Sequence, residues 1–257
     1  MCPSSAVAPA SSAARSLHLG HLLLLVMTAL LSTACATQQA ALTDPVGDPW
    51  EPFNRGVYAF NDGLDRALLK PVAKGYDYVM PDAPQRGVRN FFRNLAFPVT
   101  FVNLLLQGRF NDSMEATNRF LTNSTIGLLG FFDVATKVNM PEFDEDFGQT
   151  LAVWGWKESR YLMVPLLGPN TVRDVGRYPF DRYFSPVGYL AREESEYRPL
   201  IADFITVRAA LLPFDKDIKA AHDPYVLIRD AYLQNREYVI YNGDPPAPDY
   251  DAMLEEY

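Results

Sequence analysis

Between Asp48 and Pro71 the apolar residues Trp50, Phe53, Val57, Phe60, Leu64 and Leu68 recur at steps of three or four. That spacing gives one apolar helix face. Asn54, Tyr58, Asn61 and Asp65 repeat at the same steps on a neighbouring face, so a polar stripe runs beside the apolar one. Asp48 can accept from a first-turn N–H, Pro49 suits the first helical position, and Glu51 stands where a capping box places an acid. The helix is expected to run to about Leu69 and stop before Pro71. Adjoining wet and greasy stripes suit the edge of something between water and lipid.

The pattern after Pro71 is again mostly helical. Pro71 can start a helix through Tyr78, with Pro81 and Pro84 punctuating its end, and a third fits Gln85 to Leu95. Val88, Phe91, Phe92 and Leu95 lie on one side of it, and Arg86, Arg89 and Arg93 on the other. Ala96 to Gln107 is nearly all apolar, with Pro98 placed to start a helix and Gly108 to stop it. Asp112 is expected to cap the next helix, which leads into the glycine-broken apolar run Ile126–Phe132. Periodicity fits both a buried helix pair and a membrane-facing surface for these two stretches. Leu151–Trp156 and Tyr161–Pro165, rich in β-formers around the polar turn Lys157–Arg160, predict a small hairpin. Asn170 to Tyr189 is turn-rich, and helical pattern returns at Glu193–Leu212 and Lys216–His222. A last helix opens at Asp223-Pro224 and runs towards Gly243.

The first residues change the picture of the compartment. Arg15 is the only charge before an apolar run, Leu22–Leu31, that ends in Ser32-Thr33-Ala34-Cys35. A basic start, a short apolar core and small residues before a cleavage point describe a secretory signal. The run is too short for a spanning helix, which needs about 20 apolar residues. A cysteine after small residues resembles the lipobox of bacterial lipoproteins, with Ser32 standing where Leu is usual. Residues 1–34 are therefore expected to be a signal peptide, and Cys35 the acylated N-terminus of the mature chain. The stretch 35–47 reads as a lipidated tether, 48–243 as the folded domain, and 244–257 as a flexible acidic tail. An ordinary signal peptide that happens to end near a cysteine is the alternative. Three acyl chains would make the anchor effectively permanent, at about 0.8 kcal/mol per buried methylene.

Composition then excludes several functions. The chain has 31 acidic and 23 basic residues, and of these only Arg15 would leave with the signal. From Ala36 to Phe120 the two signs balance at nine each, so the deficit of bases falls later. An acidic chain without basic clusters does not suit nucleic acid. With Cys2 lost and Cys35 acylated, no thiol is left for a disulfide, a metal or a nucleophile. His222 is the one histidine beyond the signal, so no transition-metal cluster or cofactor is expected. No serine sits in a G-x-S-x-G elbow, and there is no Walker loop. Glu142, Asp144, Glu145 and Asp146 read as a solvated acidic loop beside Pro141. The arginine stripe fits either phosphate headgroups or solvent. Trp50, Trp154 and Trp156 fit an interfacial belt or a core.

The segments DPWEPFNRGVYAFNDGLD, NFFRNLAFPVTFVNLLLQG, NRFLTNSTIGLLGFFDVA, FGQTLAVWGW, YLMVPLLGP with TVRD, and DPYVLIRDAYLQNREYVIYNG occur here in that order. Together they resemble the MlaA (VacJ) family of Gram-negative outer-membrane lipoproteins, over nearly all of the mature chain. The resemblance implies a mainly α, ring-shaped, multi-helix single domain lying in one leaflet of the outer membrane, its inner one. Phospholipids strayed into the outer leaflet would pass through a polar channel to a periplasmic carrier, MlaC, maintaining lipid asymmetry. It also implies association with trimeric porins and no covalent chemistry. On that reading Asn54, Asn61, Asp65, Arg173 and Asp174 are the candidate channel-lining residues. Capping and core hydrogen bonds are their alternative roles. The competing functional reading is an adaptor lipoprotein that binds porins without moving lipid.

Overall fold

A computed structural model describes residues 48–187 and 198–246. The chain divides into Met1–Trp50 and Glu51–Tyr257, and only a turn at 48–50 is described of the first unit. The signal segment, Cys35, the tether and the tail beyond 246 lie outside the described residues. Everything below concerns the second unit.

The amphipathic pattern after Trp50 forms α1, Glu51–Leu64. Pro71 does not end it. The chain passes through a π-turn, Asp65–Leu69, straight into α2, Lys70–Val79, with Pro71 in the first turn of α2. Proline has no N–H and its ring crowds the carbonyl four residues back. The wider π register, in which Lys70 N–H reaches the Asp65 carbonyl, accommodates both. Arg208 clamps the start of this turn, with Nε and Nη2 at 2.6 and 2.8 Å from the Asp65 carboxylate. Asp215 then takes both Arg208 and Lys70.

Three helices follow: α3, Asp82–Leu95; α4, Phe97–Leu106; and α5, Phe110–Thr125. α4 and α5 pack side by side, with Phe97 and Phe120 stacked at 4.3 Å between ring centroids. Asp112 does not cap α5. It sits inside the first turn and holds Arg109 Nε at 2.6 Å. After α5 the run Ile126–Phe132 makes a tight turn in which Leu128, Leu129 and Gly130 have φ of 52, 59 and 91°. A left-handed leucine costs on the order of 1 kcal/mol. The turn is held by Leu129 N–H to Ser124 and Gly130 N–H to Asn123 carbonyls, at 2.9 and 2.7 Å. Asp133 then caps the short helix α6, Val134–Lys137.

The hairpin is present, but its strands differ from those the β-former pattern predicts. Residues 147–153 form helix α7, because the Asp146 side chain accepts from Gln149 N–H and starts a helix there. Tyr161–Val164 is β1 as expected. Its antiparallel partner is β2, Gly168–Thr171, with Tyr161 opposite Thr171 and Val164 opposite Gly168. The other side of β1 is closed by α1. Asn54 Oδ1 accepts from Met163 N–H at 2.9 Å, and Asn61 Nδ2 donates to the Val164 carbonyl at 3.0 Å. Asn61 Oδ1 also accepts from Leu166 N–H. The side-chain amides of one helix thus take the place of a third strand.

The stretch expected to be turns contains two short helices, α8 at Val172–Val175 and α9 at Arg177–Phe184. Then come α10, Arg198–Ala210, a 3-10 turn at Leu212–Phe214, α11, Asp215–Ala220, and α12, Pro224–Ile240. Asp223 caps α12 as its Asp-Pro opening predicts. The architecture is mainly helical with one small antiparallel hairpin.

One apolar core cluster is built on Tyr161, Met163 and Tyr225, with Val57, Tyr58, Val226, Tyr232 and Leu233 around them, and Leu104 and several alanines are buried elsewhere. The deepest positions also hold Asn54, Asn103, Thr150, Asn170, Thr206 and Asp174. Large apolar side chains face outward instead, among them Phe60, Phe110, Met114, Leu121, Ile126, Leu128, Leu129, Leu166 and Phe214. Of the two ambiguous apolar stretches, Ile126–Phe132 is largely surface, whereas Ala96–Gln107 buries Leu104 and exposes Leu105 and Leu106. Among the described residues no helix is long and apolar enough to cross a membrane.

Candidate functional site

The interior ion pairs start from Asp146, the cap of α7. Arg236, from the middle of α12, donates to it through Nη1 and Nη2 at 2.7 and 2.6 Å. Arg177, at the start of α9, reaches the same carboxylate at 2.9 Å. Burial works to raise the Asp146 pKa, but the two guanidiniums and Gln149 N–H hold it down at about 2. Arg236 also bridges to Asp174, with Nη2 at 3.0 Å from Oδ1 and Nε at 3.0 Å from Oδ2, the latter an ion contact with a poorly aligned hydrogen. Asp174 is fully buried and further accepts from Tyr232 Oη at 2.8 Å and Arg173 Nε at 3.1 Å. Desolvation opposes its charge; Arg236 and Arg173 outweigh that and keep its pKa below normal.

Three helices and a loop meet on this network, and a cavity of about 790 Å³ opens beside it. Its wall carries five carboxylates, Asp144, Glu145, Asp146, Asp181 and Asp203, against three guanidiniums, Arg177, Arg182 and Arg236. Phe92, Val99, Leu167, Leu200 and Val239 supply apolar wall. Asp181 accepts from Asn103 Nδ2 at 3.3 Å and Phe147 N–H at 3.2 Å. Burial, with the Asp146 charge nearby, pushes its carboxyl up to about 6. Glu145 is buried and bound by Arg109 at 2.6 Å and Gln107 at 2.9 Å, yet burial still raises its pKa. A smaller cavity of about 100 Å³ lies beside Arg119, whose Nη2 reaches Asp133 at 2.9 Å.

None of the five residues singled out from the sequence lines this cavity. Asn54 and Asn61 fasten α1 to β1, and Asp65 anchors Arg208. Arg173 donates to the Trp156 and Lys157 carbonyls at 3.1 and 2.9 Å, and Asp174 is the inner partner of Arg236. The acidic loop read as solvated is instead structural at Glu145 and Asp146. Its legible signal was the Asp146-x-x-Gln149 spacing of a helix cap. The α12 arginine carried no such signal, since its partners are 62 and 90 positions away. Arg93 pairs with Glu142, and His222 is exposed without a hydrogen bond among the described residues. Among those residues no three acidic, histidine or cysteine side chains converge on a metal position.

The fold and the cavity together define a class: a helical protein with buried ion pairs beside an open cavity and many bulky apolar side chains on its surface. The MlaA lipoprotein family model matches residues 46–239. The chain is 33% identical over 227 residues to the intermembrane phospholipid transport system lipoprotein MlaA of Escherichia coli K12, covering 86% of this chain and 88% of that protein. The Haemophilus influenzae protein of the same name is 30% identical, covering 85% and 91%. An uncharacterized Rickettsia felis protein is 39% identical, covering 75% and 77%. A chain solved in work on the structural basis for maintenance of bacterial outer membrane lipid asymmetry matches with TM-score 0.66 and 32% identity, covering 75% of this chain and 98% of that one. This chain belongs to the MlaA lipoprotein family.

Proposed function

We propose that this protein is an outer-membrane lipoprotein, acylated at Cys35, that removes phospholipids misplaced in the outer leaflet and so maintains lipid asymmetry. The observation that carries the reading is the inverted polarity of the fold. An ion-paired network stands beside an open cavity of about 790 Å³ whose wall mixes charged and apolar side chains, and many aliphatic and aromatic side chains are exposed on the outside. In water, an apolar exterior on this scale is a liability. In lipid it is the stable arrangement, because a charge facing the bilayer centre costs at least about 2.5–3.5 kcal/mol. A ten-residue apolar helix such as α4 is about 15 Å long, close to half of a hydrocarbon core of about 30 Å. That length suits a body lying in the inner leaflet.

In this reading a headgroup enters the cavity while its acyl chains stay against apolar wall, and the lipid continues to a soluble periplasmic carrier, MlaC. Asn54, Asn61, Asp65, Arg173 and Asp174 hold the wall of the path in register, and Asp146, Arg177, Asp181 and Arg236 face it. Trimeric porins would seat the protein laterally. Nothing in this path calls for covalent chemistry. Deleting the gene should raise outer-leaflet phospholipid and detergent sensitivity, and unchanged surface lipid in a clean deletion would refute the transport role. Transfer from reconstituted membranes to a purified carrier separates transport from the adaptor reading, which expects none above a protein-free control.

A further inference from the structure

The cavity contains charges that have no partner among the described residues. Arg182, on the last turn of α9, lines it and is exposed, with no hydrogen bond or ion pair to any described residue. Asp203, in the middle of α10, lines it half-buried, and its carboxylate likewise has no partner there. Burial alone raises the Asp203 pKa, with no cation close enough to oppose the shift. Asp144 also has a raised pKa, from burial and then the neighbouring Asp146 charge, but Arg93 and Arg177 pull against that shift, and no cation does so at Asp203. The other wall charges are already engaged: Asp146 by two guanidiniums, Glu145 by Arg109, and Asp181 by Asn103 and a backbone N–H. Asn235 adds an uncommitted amide from α12.

We propose that this cavity is a headgroup-reading site for amine-bearing zwitterionic phospholipids, with Arg182 taking the phosphate and Asp203 the primary ammonium. The inference rests on the transport reading above. The chemistry fits on both sides. A guanidinium offers a planar fork of donors to phosphate oxygens. A desolvated carboxylate without a cation gains most from a ligand that brings one. The wall excess of carboxylates over guanidiniums works against a headgroup of net negative charge and favours one carrying its own ammonium. No aromatic box is needed, since a primary ammonium has three donors for carboxylate and amide oxygens. The volume of about 790 Å³ lies within the range of small-ligand pockets.

The test is displacement of a fluorescent phospholipid from the full-length protein in neutral detergent. The competitors are phosphatidylethanolamine, phosphatidylglycerol and N-acetyl-phosphatidylethanolamine with identical acyl chains. The parent protein should prefer the free amine by about fivefold over each of the other two, the size of a partly solvated ion pair. Asp203→Asn should remove most of that preference, and Arg182→Gln should weaken all three lipids alike. The N-acetyl competitor needs no variant, so a misfolded mutant cannot mask the answer. Equal binding of the free and acetylated amines, or a preference undiminished in Asp203→Asn, overturns the headgroup assignment and leaves transport standing. Binding of none of the three lipids by the parent protein overturns the transport reading, and this inference with it.

Discussion

Arg236→Met is the most searching perturbation of the interior. The guanidinium is nearly enclosed and touches two carboxylates, Asp146 through Nη1 and Nη2 and Asp174 through Nη2 and Nε. Methionine can fill the stem volume but leaves both acids short of a cation. Removing one partner of a buried pair costs about 3–5 kcal/mol. The low end applies here, because Asp146 keeps Arg177 at 2.9 Å and Asp174 keeps Tyr232 at 2.8 Å. For a chain of this size about 3 kcal/mol corresponds to a fall of roughly 6–12 °C in Tm. The assay is far-UV circular dichroism against temperature on the full-length protein in detergent. Arg236→Met/Asp146→Asn should recover a substantial part of the loss by removing the uncompensated charge, whereas Asp146→Asn alone should destabilise. Arg236→Lys should fall between, since an ammonium cannot span both acids with a planar fork. A Tm for Arg236→Met within about 2 °C of the parent would refute the assignment of this network as the strut of the cavity.

Other outcomes follow from the same geometry. Asn54→Leu should leave Met163 N–H and the Tyr161 carbonyl without their side-chain partner, costing about 1–3 kcal/mol in thermal stability and loosening the hairpin in hydrogen exchange. Gly148→Ala should destabilise by about 1–3 kcal/mol, because a Cβ there would lie 2.5 Å from Asp174 Oδ1 and 2.6 Å from Arg236 Nη2; an unchanged Tm would show that the network yields. Asp181 has a folded pKa raised to about 6, so its ionisation opposes folding above that pH. Asp181→Asn should therefore raise Tm near neutral pH, with the gain fading towards about pH 4, where the native acid is already protonated. Asp146, held at about 2, runs the other way: its contribution is present above about pH 4 and drains as pH falls through about 2, so Asp146→Asn should flatten the acid limb of the melting profile.

The helical character, the Asp-Pro start of α12 and the apolar α4 were legible because they rest on local rules: caps, prolines and periodicity. Two local readings went astray where the deciding partner is distant or the backbone takes an uncommon register. Pro71 marks a helix end unless a π-turn absorbs its missing N–H, and the turn here is tied down by Arg208, 143 positions from Asp65. The β-formers of 151–156 lose to the Asp146 cap, while Gly168–Thr171, poor in β-formers, becomes a strand because β1 lies against it. Asn54, Asn61 and Asp65 share one stripe of α1, as their spacing requires, and that stripe meets β1 and α10.

By itself the sequence determined the class of elements, the secretory and acylation signals expected before residue 36, the lack of a catalytic motif and the resemblance to MlaA lipoproteins. Each is written in neighbouring residues or in their order. Tertiary structure decided which faces meet, and with that the inversion of polarity. Periodicity marks an apolar face but cannot say whether protein or lipid covers it. Only the packed chain shows Ile126, Leu128 and Leu129 outside and Arg236 inside, between Asp146 on the cavity lining and the buried Asp174 behind it. Electrostatics within a low-dielectric interior depends on separations of a few ångströms, and chain spacing of 62 and 90 residues carries no record of them.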